Sequence, residues 1–513
     1  MKKLYLVSLF FLCFWPLSAQ KNIISEVAES ITIAELRDHM FYLASDELEG
    51  RQSGTAGYDK ALQYVVSQLR QAGLSPILLN KNSAPSYYQE FSIDKYSPGQ
   101  NNSISIIKNA DKRTYSSEDD FIIEYGGPFE TKELSAGLVF VGNGIKEPEF
   151  GINDYKNVDV RGKWVVMLEN IPANLRQKLP HLVYQKYQFF PENGKFLVQQ
   201  AKDNGAIGII LIPNHNHFKN WKTVAEQYRD FYYIQEIGQL LINTELPTVL
   251  IDSSMIEFLF NGQKYNPLED KKSQKSFELR NCELTLHKEY TPSTIHTANA
   301  MGLIEGSDPT LKKEYVTLCA HLDHLGIQLG EVMNGADDNA SGSVGVLEIA
   351  EALAMSKPAR SVICILFSGE ELFLAGSHYF TENSPVPIEN VIANVNLDMI
   401  GCSNTDIKAL APIGAGRITS KFKEIITRVN DMTQNLAIDW AYSDTSRYVN
   451  MSDNYPFHLK KIPAVFFFSG DNADIHMPTD DAENIDYEFF QRSCKLVYEI
   501  VMELANGDII LKK

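Results

Sequence analysis

The chain has 513 residues, 44% of them hydrophobic and 22% charged. That balance excludes a disordered tail, a collagen-like rod and a small disulfide-stapled scaffold, and the length leaves room for roughly two to four domains. With 47 basic against 65 acidic residues the net charge is −18, which argues against nucleic acid as a partner, because phosphate binding needs a basic face.

Lys2 and Lys3 precede an apolar run from Leu4 to Trp15, and Pro16-Leu17-Ser18-Ala19 offers a small residue before Gln20. This reads as a signal peptide over residues 1–19, hence an exported protein, periplasmic or secreted. The run is too short to span a bilayer, and no other stretch approaches about 18 apolar residues, so no transmembrane segment is expected. Cys13 lacks the small-residue surroundings of a lipid-anchor motif. Cys282, Cys319, Cys364, Cys402 and Cys494 are scattered without CxxC spacing, which speaks against a disulfide framework or a thiolate zinc site.

Residues 31–44 place Ile33, Leu36, Met40 and Leu43 on one helical face. The polar loop SDELEGRQSGTAG separates them from a second helix that begins near Tyr58, carries Ala61, Leu62, Val65, Val66 and Leu69 on its apolar face, and stops at Gly73. From about 110 to 292 short β-like runs take over: GLVFVG (137–142), GKWVVML (162–168), AIGIILI (206–212) and PTVLI (247–251). A helical run, KFLVQQAKDNG, leads into the third, and residues 276–288 alternate loosely as a terminal strand would. After about 293, strand-like runs alternate with helical ones: YVTLCA, SVGVLEIAEALAM, SVICILF, VIANVNL, a helix near 418–430, IPAVFFF, and a final helix with Phe490, Cys494, Val497, Val501 and Leu504 in one stripe. The expected fold is α/β, with a mostly parallel central sheet and helices on both faces. Residues 20–109 and 293–513 would form it, and 110–292 would be an inserted β-rich module.

There is no HExxH, no GxSxG elbow and no Walker A loop, and the GxG at Gly142 and Gly144 meets Glu147 where a dinucleotide fingerprint needs glycine. The polar residues stand instead at the carboxyl ends of the expected parallel strands. YVTLCA runs into His321 and Asp323, SVICILFSG into Glu370 and Glu371, and VIANVNL into Asp398. IPAVFFFSG leads through a short loop to His476, and Asp337-Asp338-Asn339 opens the helix after the first strand. Ligand sites in open α/β sheets lie beyond those strand ends. Carboxylates converging there repel, and each one buried unpaired costs several kcal/mol, so cations are expected among them. Histidine with Asp and Glu but no Cys suits catalytic zinc. Two imidazoles, two terminal carboxylates and a bridging one suffice for two ions, with one Glu left as a base.

Taken singly, these residues have ordinary readings. His321 would be a satisfied core histidine, Glu370-Glu371 a carboxylate pair at a helix start favoured by the dipole, Asp398 a strand-end cap and His476 a solvated loop residue. Asp337 reads as a helix cap or an outer partner of the ligands rather than a ligand itself, and Asp480 as a candidate support for the last ligand. His324, His378 and His458 read as structural, and the His215/His217 pair as a solvated loop. The case for chemistry rests on the set.

As a set, AHLDHLG (320–326), NGADDNASG (334–342), FSGEELFLAGS (367–377), NLDMIG (396–401), SDNYPF (452–457) and IHMPTD (475–480) resemble, in order, the co-catalytic di-zinc aminopeptidase family. Its wider superfamily also holds leucyl aminopeptidases, glutamate carboxypeptidases, glutaminyl cyclases and transferrin receptors. DELEGRQSGTAG resembles the family's N-terminal part, and VDVRGKWVVML with AKDNGAIGIILI resembles the protease-associated domain inserted in such enzymes. The resemblance implies a zinc exopeptidase fold with two Zn2+ per chain. His321, Asp338 and Asp398 would hold one ion, and Asp338, Glu371 and His476 the other, with Asp338 as the bridge. Glu370 would be the general base toward a water activated between the ions, and Asp323 would orient the His321 imidazole. The implied activity is exopeptidase, foremost an aminopeptidase acting on peptides. A carboxypeptidase or dipeptidase on the same fold, a one-zinc glutaminyl cyclase and a non-catalytic receptor-like protein are the alternatives. The last two fit less well because no ligand is missing. Ile475 stands where some members carry a carbonyl-polarising Tyr, with Tyr448 as a candidate substitute, and Asn454 stands where His often follows Ser-Asp.

Overall fold

The structure is a computed structural model. It describes residues 24–511 except 80–81, 126–131, 170, 172–174, 176, 181–182, 184–186, 188–193, 228–230, 235–238, 241–245, 264, 268–274, 402–407, 442–446 and 508–510. The signal peptide expected over 1–19, and Cys402, lie outside the described residues. The chain divides into two compact units, one of residues up to Phe91 together with His296 onward, the other Ser92–Ile295.

In the first unit the two early helices form where spacing and caps put them. Ile33–Leu43 begins at Thr32, whose hydroxyl accepts the Glu35 amide at 3.2 Å, and it buries Leu36, Met40 and Leu43. Ala56–Gln71 begins at Thr55 and buries Ala61, Leu62, Val65, Val66 and Leu69. The sheet is built on four parallel strands in the order Ser361–Phe367, Tyr315–His321, Val391–Leu397 and Ala464–Phe468. Antiparallel strands flank them: Ala300–Ile304 of Tyr290–Ile304 pairs with the first, and Ala409–Ile413 with the last.

Alternate residues of these strands enter two cores. Val316, Leu318, Ala320, Val362, Cys364 and Leu366 pack with apolar residues of the helices Gly342–Ser356 and Tyr487–Asn506. Cys319, Ile363, Ile365 and Phe367 pack with Phe380 and Phe457, from the helices Ala375–Glu382 and Asn454–Leu459. A sheet covered on both faces needs apolar residues at every position, which is why SVICILF and AVFFF are continuous runs rather than alternations. Parallel pairing brings the carboxyl ends of all four strands to one edge, where the polar motifs begin.

The second unit is also α/β. Lys132–Phe140, Trp164–Leu168, Gly208–Ile212 and Thr248–Ile251 lie side by side and parallel. Phe277–Lys288, Ser103–Lys108 and Asp111–Ser116 extend one edge antiparallel, and Phe121–Tyr125 closes the other. The stretch 92–116 thus packs with this unit, held by the pairing of Ser103–Lys108 with Phe277–Lys288. Trp164 is fully buried at the centre, and a Cβ at Gly208 would fall 2.1 Å from its ring, so only glycine fits opposite it.

Cys282, Cys319, Cys364 and Cys494 are buried and free, as their scatter predicts. Among the described residues no helix is long and apolar enough to cross a membrane.

Candidate metal centre

His321 is the last residue of its strand, 1% exposed. Its Nδ1 lies 3.0 Å from the main-chain oxygen of Asp323, which fixes the ring and turns Nε2 outward. The Asp323 carboxylate sits 3.9 Å from the same Nδ1, but Oδ1 accepts its hydrogen bond from the Glu370 amide at 3.1 Å. Asp323 therefore orients His321 through its backbone and ties the first strand end to the second through its side chain.

The segment 334–341 carries Asp338 and is locked from several sides. Gly335 has φ +55, and a Cβ there would fall 2.2 Å from the Asp338 carbonyl oxygen. The amides of Asp337 and Asp338 donate to the two oxygens of Asp480 at 2.9 and 3.0 Å. Asn339 donates to Leu397 O at 2.9 Å and accepts from Met399 N at 3.2 Å. Asp337 is fully buried and accepts from Gly401 N at 2.8 Å and Asn472 Nδ2 at 2.9 Å. Asp337 and Asp480 are thus supports of the loop: the Asp480 side chain holds the Asp337 and Asp338 amides, and its own amide donates to Met477 O at 3.2 Å, next to His476.

Asp398 directly follows its strand. Its Oδ2 accepts the Ser452 hydroxyl at 2.6 Å, leaving Oδ1 3.3 Å from His321 Nε2. Glu370 Oε2 is 3.9 Å from the same nitrogen. Asp338 faces two ways: Oδ1 is 3.5 Å from His321 Nε2, and Oδ2 is 3.1 Å from His476 Nε2. Glu371 Oε2 lies 3.5 Å from His476 Nε2. Within the cluster, His321, Glu370 and Asp398 offer ligand atoms all within 4.8 Å of one another, and so do His324, Asp338 and Glu371. All seven residues singled out in the sequence therefore meet at one edge of the sheet. His476, whose side chain is 46% exposed, is the member open to solvent.

Electrostatics fit cations here. Four carboxylates, Asp338, Glu370, Glu371 and Asp398, converge, and among the described residues no Lys or Arg pairs with them. Arg51 is fully buried close by, and burial pulls it down to about 10, but its guanidinium donates to the carbonyls of Leu43, Leu322, Asn334 and Gly335. Burial alone would depress both imidazoles; Asp398 and Glu370 outweigh it and hold His321 well above the usual range, while Glu371 and Asp338 raise His476 to about 10. Burial, reinforced by Glu371 and Asp398, pushes Glu370 well above the carboxylate range. These shifts follow from carboxylates packed together out of water, a setting that a bound cation would relieve. Further in, Asp323 Oδ2 is buried with no hydrogen-bond partner among the described residues.

His324 belongs to this group although its sequence position suggested only a structural role. Its Nδ1 is 2.9 Å from Glu371 Oε1. The available signal was its place three residues after His321 in AHLDHLG, on the turn leaving the same strand. His458 stays apart, brought down to about 4 by burial and Arg417. Tyr448 does not face the carboxylates: its hydroxyl donates to Asp471 and its ring packs against Phe468. Ile475 packs into the same apolar group. Asn454 donates to Val449 O at 3.1 Å.

Residues 299–501 match peptidase family M28, the family to which the six motifs pointed. The chain is 28% identical over 208 residues to a probable leucine aminopeptidase of Arthroderma benhamiae, covering 38% of this chain and 56% of that protein. It is 28% identical over 181 residues to the aminopeptidase YwaD of Bacillus subtilis, covering 34% and 38%. The chain thus spans about half the length, or less, of these curated relatives. Among solved structures it shares the fold of an aminopeptidase from an Aneurinibacillus species, with TM-score 0.60 and 16% identity over 96% of this chain and 98% of that one. A zinc aminopeptidase from Bacillus subtilis gives 0.54 and 18% over 93% and 96%.

Proposed function

We propose, with residues 299–501 as a peptidase family M28 segment, that the protein is an exported zinc-dependent exopeptidase, an aminopeptidase that removes N-terminal residues from peptides. The observation that carries this reading is the two-way presentation of Asp338, with Oδ1 toward His321 and Oδ2 toward His476. A carboxylate so placed is what a bridge between two cations needs. His321, Asp338 and Asp398 would hold one zinc ion, and Asp338, Glu371 and His476 the other. Bound there, the ions would neutralise the carboxylates and supply Lewis acidity to a scissile carbonyl and to water.

The chain's own groups do the rest. Glu370 carries a carboxylate in a buried setting that raises its hold on a proton. It accepts the proton of the attacking water and delivers it to the leaving amine. Asp323 fixes the Glu370 main chain, and Ser452 fixes Asp398. The middle block as a protease-associated domain inserted in the peptidase domain, and export directed by residues 1–19, belong to the same proposal. They rest on the sequence runs that suggest them.

Metal analysis of the purified protein is expected to find about two zinc ions per chain. Glu370→Gln is expected to keep that metal content and lower kcat by roughly 10²–10⁴-fold; full turnover in this variant would overturn the mechanism. Peptides with a free amino terminus are expected to be cleaved and amine-blocked ones spared, and the opposite preference would make the enzyme a carboxypeptidase.

A further inference from the structure

We infer that His324 is a positioning residue for the second metal position: its imidazole holds one oxygen of Glu371, so that Glu371 presents the other to the ion. This deepens the proposed function and rests on it. The motivating geometry is that the two oxygens of Glu371 face different imidazoles. Oε1 is 2.9 Å from His324 Nδ1, whereas Oε2 is 3.5 Å from His476 Nε2. A carboxylate with one oxygen held by an N–H donor binds a cation through the remaining oxygen, in one orientation. The other carboxylate at this position is left free by the same ring, because Asp338 Oδ2 lies 3.9 Å from His324 Nδ1 but 3.1 Å from His476 Nε2.

The ring cannot swing away from this task. The His324 side chain is fully buried. Its Cγ and Cδ2 lie against Gly335, where an added Cβ would stand 2.5 and 2.4 Å from them. Its own amide donates to Arg51 O at 3.3 Å. The ring centroid is 5.8 Å from that of His476 at an interplanar angle of 60°, and the two imidazoles meet different oxygens of Glu371. Among the described residues Nε2 has no hydrogen-bond partner, and Nδ1 is the ring atom that meets Glu371. Glycine at 335 serves the arrangement twice, since it admits the positive φ of the Asp338 loop and leaves room for the ring.

The test is a calorimetric titration of metal-free protein with Zn2+, alongside metal counts after dialysis against a graded chelator. Wild type is expected to show two classes of site. His324→Ala is expected to weaken one class by roughly 10–100-fold and leave the other within error. His324→Asn keeps a side-chain N–H near the Nδ1 position and is expected to recover part of that loss. Thermal unfolding of the metal-free variants checks that both are folded, and at equal stability an alanine variant with unchanged affinity at both sites overturns the inference. So does an asparagine variant no better than alanine. Wild type that takes up no zinc would overturn the proposed metal centre itself, an outcome distinct from a defect confined to His324.

Discussion

Both units of this molecule place four parallel strands side by side, yet their carboxyl ends are used in opposite ways. In the Ser92–Ile295 unit the acidic groups just past two of these strands are satisfied locally. Glu169, just past Trp164–Leu168, accepts from Asn214 N and Nδ2 at 2.7 and 2.9 Å and faces His217 Nδ1 at 3.0 Å. Asp252, just past Thr248–Ile251, caps the next helix through the Met255 amide at 2.9 Å. In the other unit the carboxylates that follow the strands face one another and three imidazoles, those of His321, His324 and His476. The backbone amides that could have capped them are engaged elsewhere, as where Asp480 takes those of Asp337 and Asp338. Parallel strands supply the place for a site. The supports behind the strand ends decide whether the acids there close off locally or stay available for cations.

The strongest way to break this contrast is at the bridge. Asp338→Asn is expected to weaken zinc binding at both positions by more than roughly 100-fold, beyond what losing an outer partner does; equilibrium dialysis would reveal it, and one intact site would contradict the bridging role. Next come the glycines. Gly335→Ala meets backbone at 2.2 Å and a ring at 2.4 Å with φ +55, so it is expected to lower stability by roughly 2–5 kcal/mol. Gly162→Ala, at φ +68 with nothing within 4 Å, should lose only about 1 kcal/mol. Urea unfolding midpoints of the pair compare the packed loop with the open turn, and equal losses would deny the packing argument.

Glu169→Ala removes a buried acceptor from two half-buried donors of Asn214 and is expected to lower stability by about 1–2 kcal/mol with zinc content unchanged, a separation that metal analysis and unfolding together would establish. The last effect concerns Asp154, which burial raises to about 6 against the pull of the Ile145, Asn143 and Gly144 amides. A carboxyl whose folded pKa is raised favours the folded state below its unfolded value near 3.8 and loses that contribution as pH rises through about 6. Asp154→Asn is therefore expected to flatten the stability difference between pH 4 and 7 by on the order of 1–2 kcal/mol; an undiminished slope would place the titration elsewhere.

The elements of the parallel core were legible because the strands are short, largely apolar runs and the early helices carry an apolar face at helical spacing: SVICILF became Ser361–Phe367, and Leu36, Met40 and Leu43 are the buried face of Ile33–Leu43. Residues directly following those runs were equally legible, since a strand fixes where its next side chains emerge. His321, Glu370, Glu371 and Asp398 were found on that ground. Less visible were the groups whose meaning depends on distant partners. SDELEGR looks like a polar loop, yet Arg51 is fully buried and joins main-chain oxygens near residues 43, 322 and 334–335. His324 lies 47 positions from the carboxylate it holds, and no local spacing encodes that pairing.

What the amino-acid order determined by itself is therefore the periodic part: which runs are apolar on both faces, where helices begin, and which acids and imidazoles stand at strand ends. Only the tertiary structure decided which oxygen of each carboxylate faces which imidazole, because that depends on hydrogen bonds such as Ser452 to Asp398 and His324 to Glu371. Such bonds form after the sheet has brought separate segments together. Burial then makes each of them matter, since a polar group removed from water has only the partners the fold supplies.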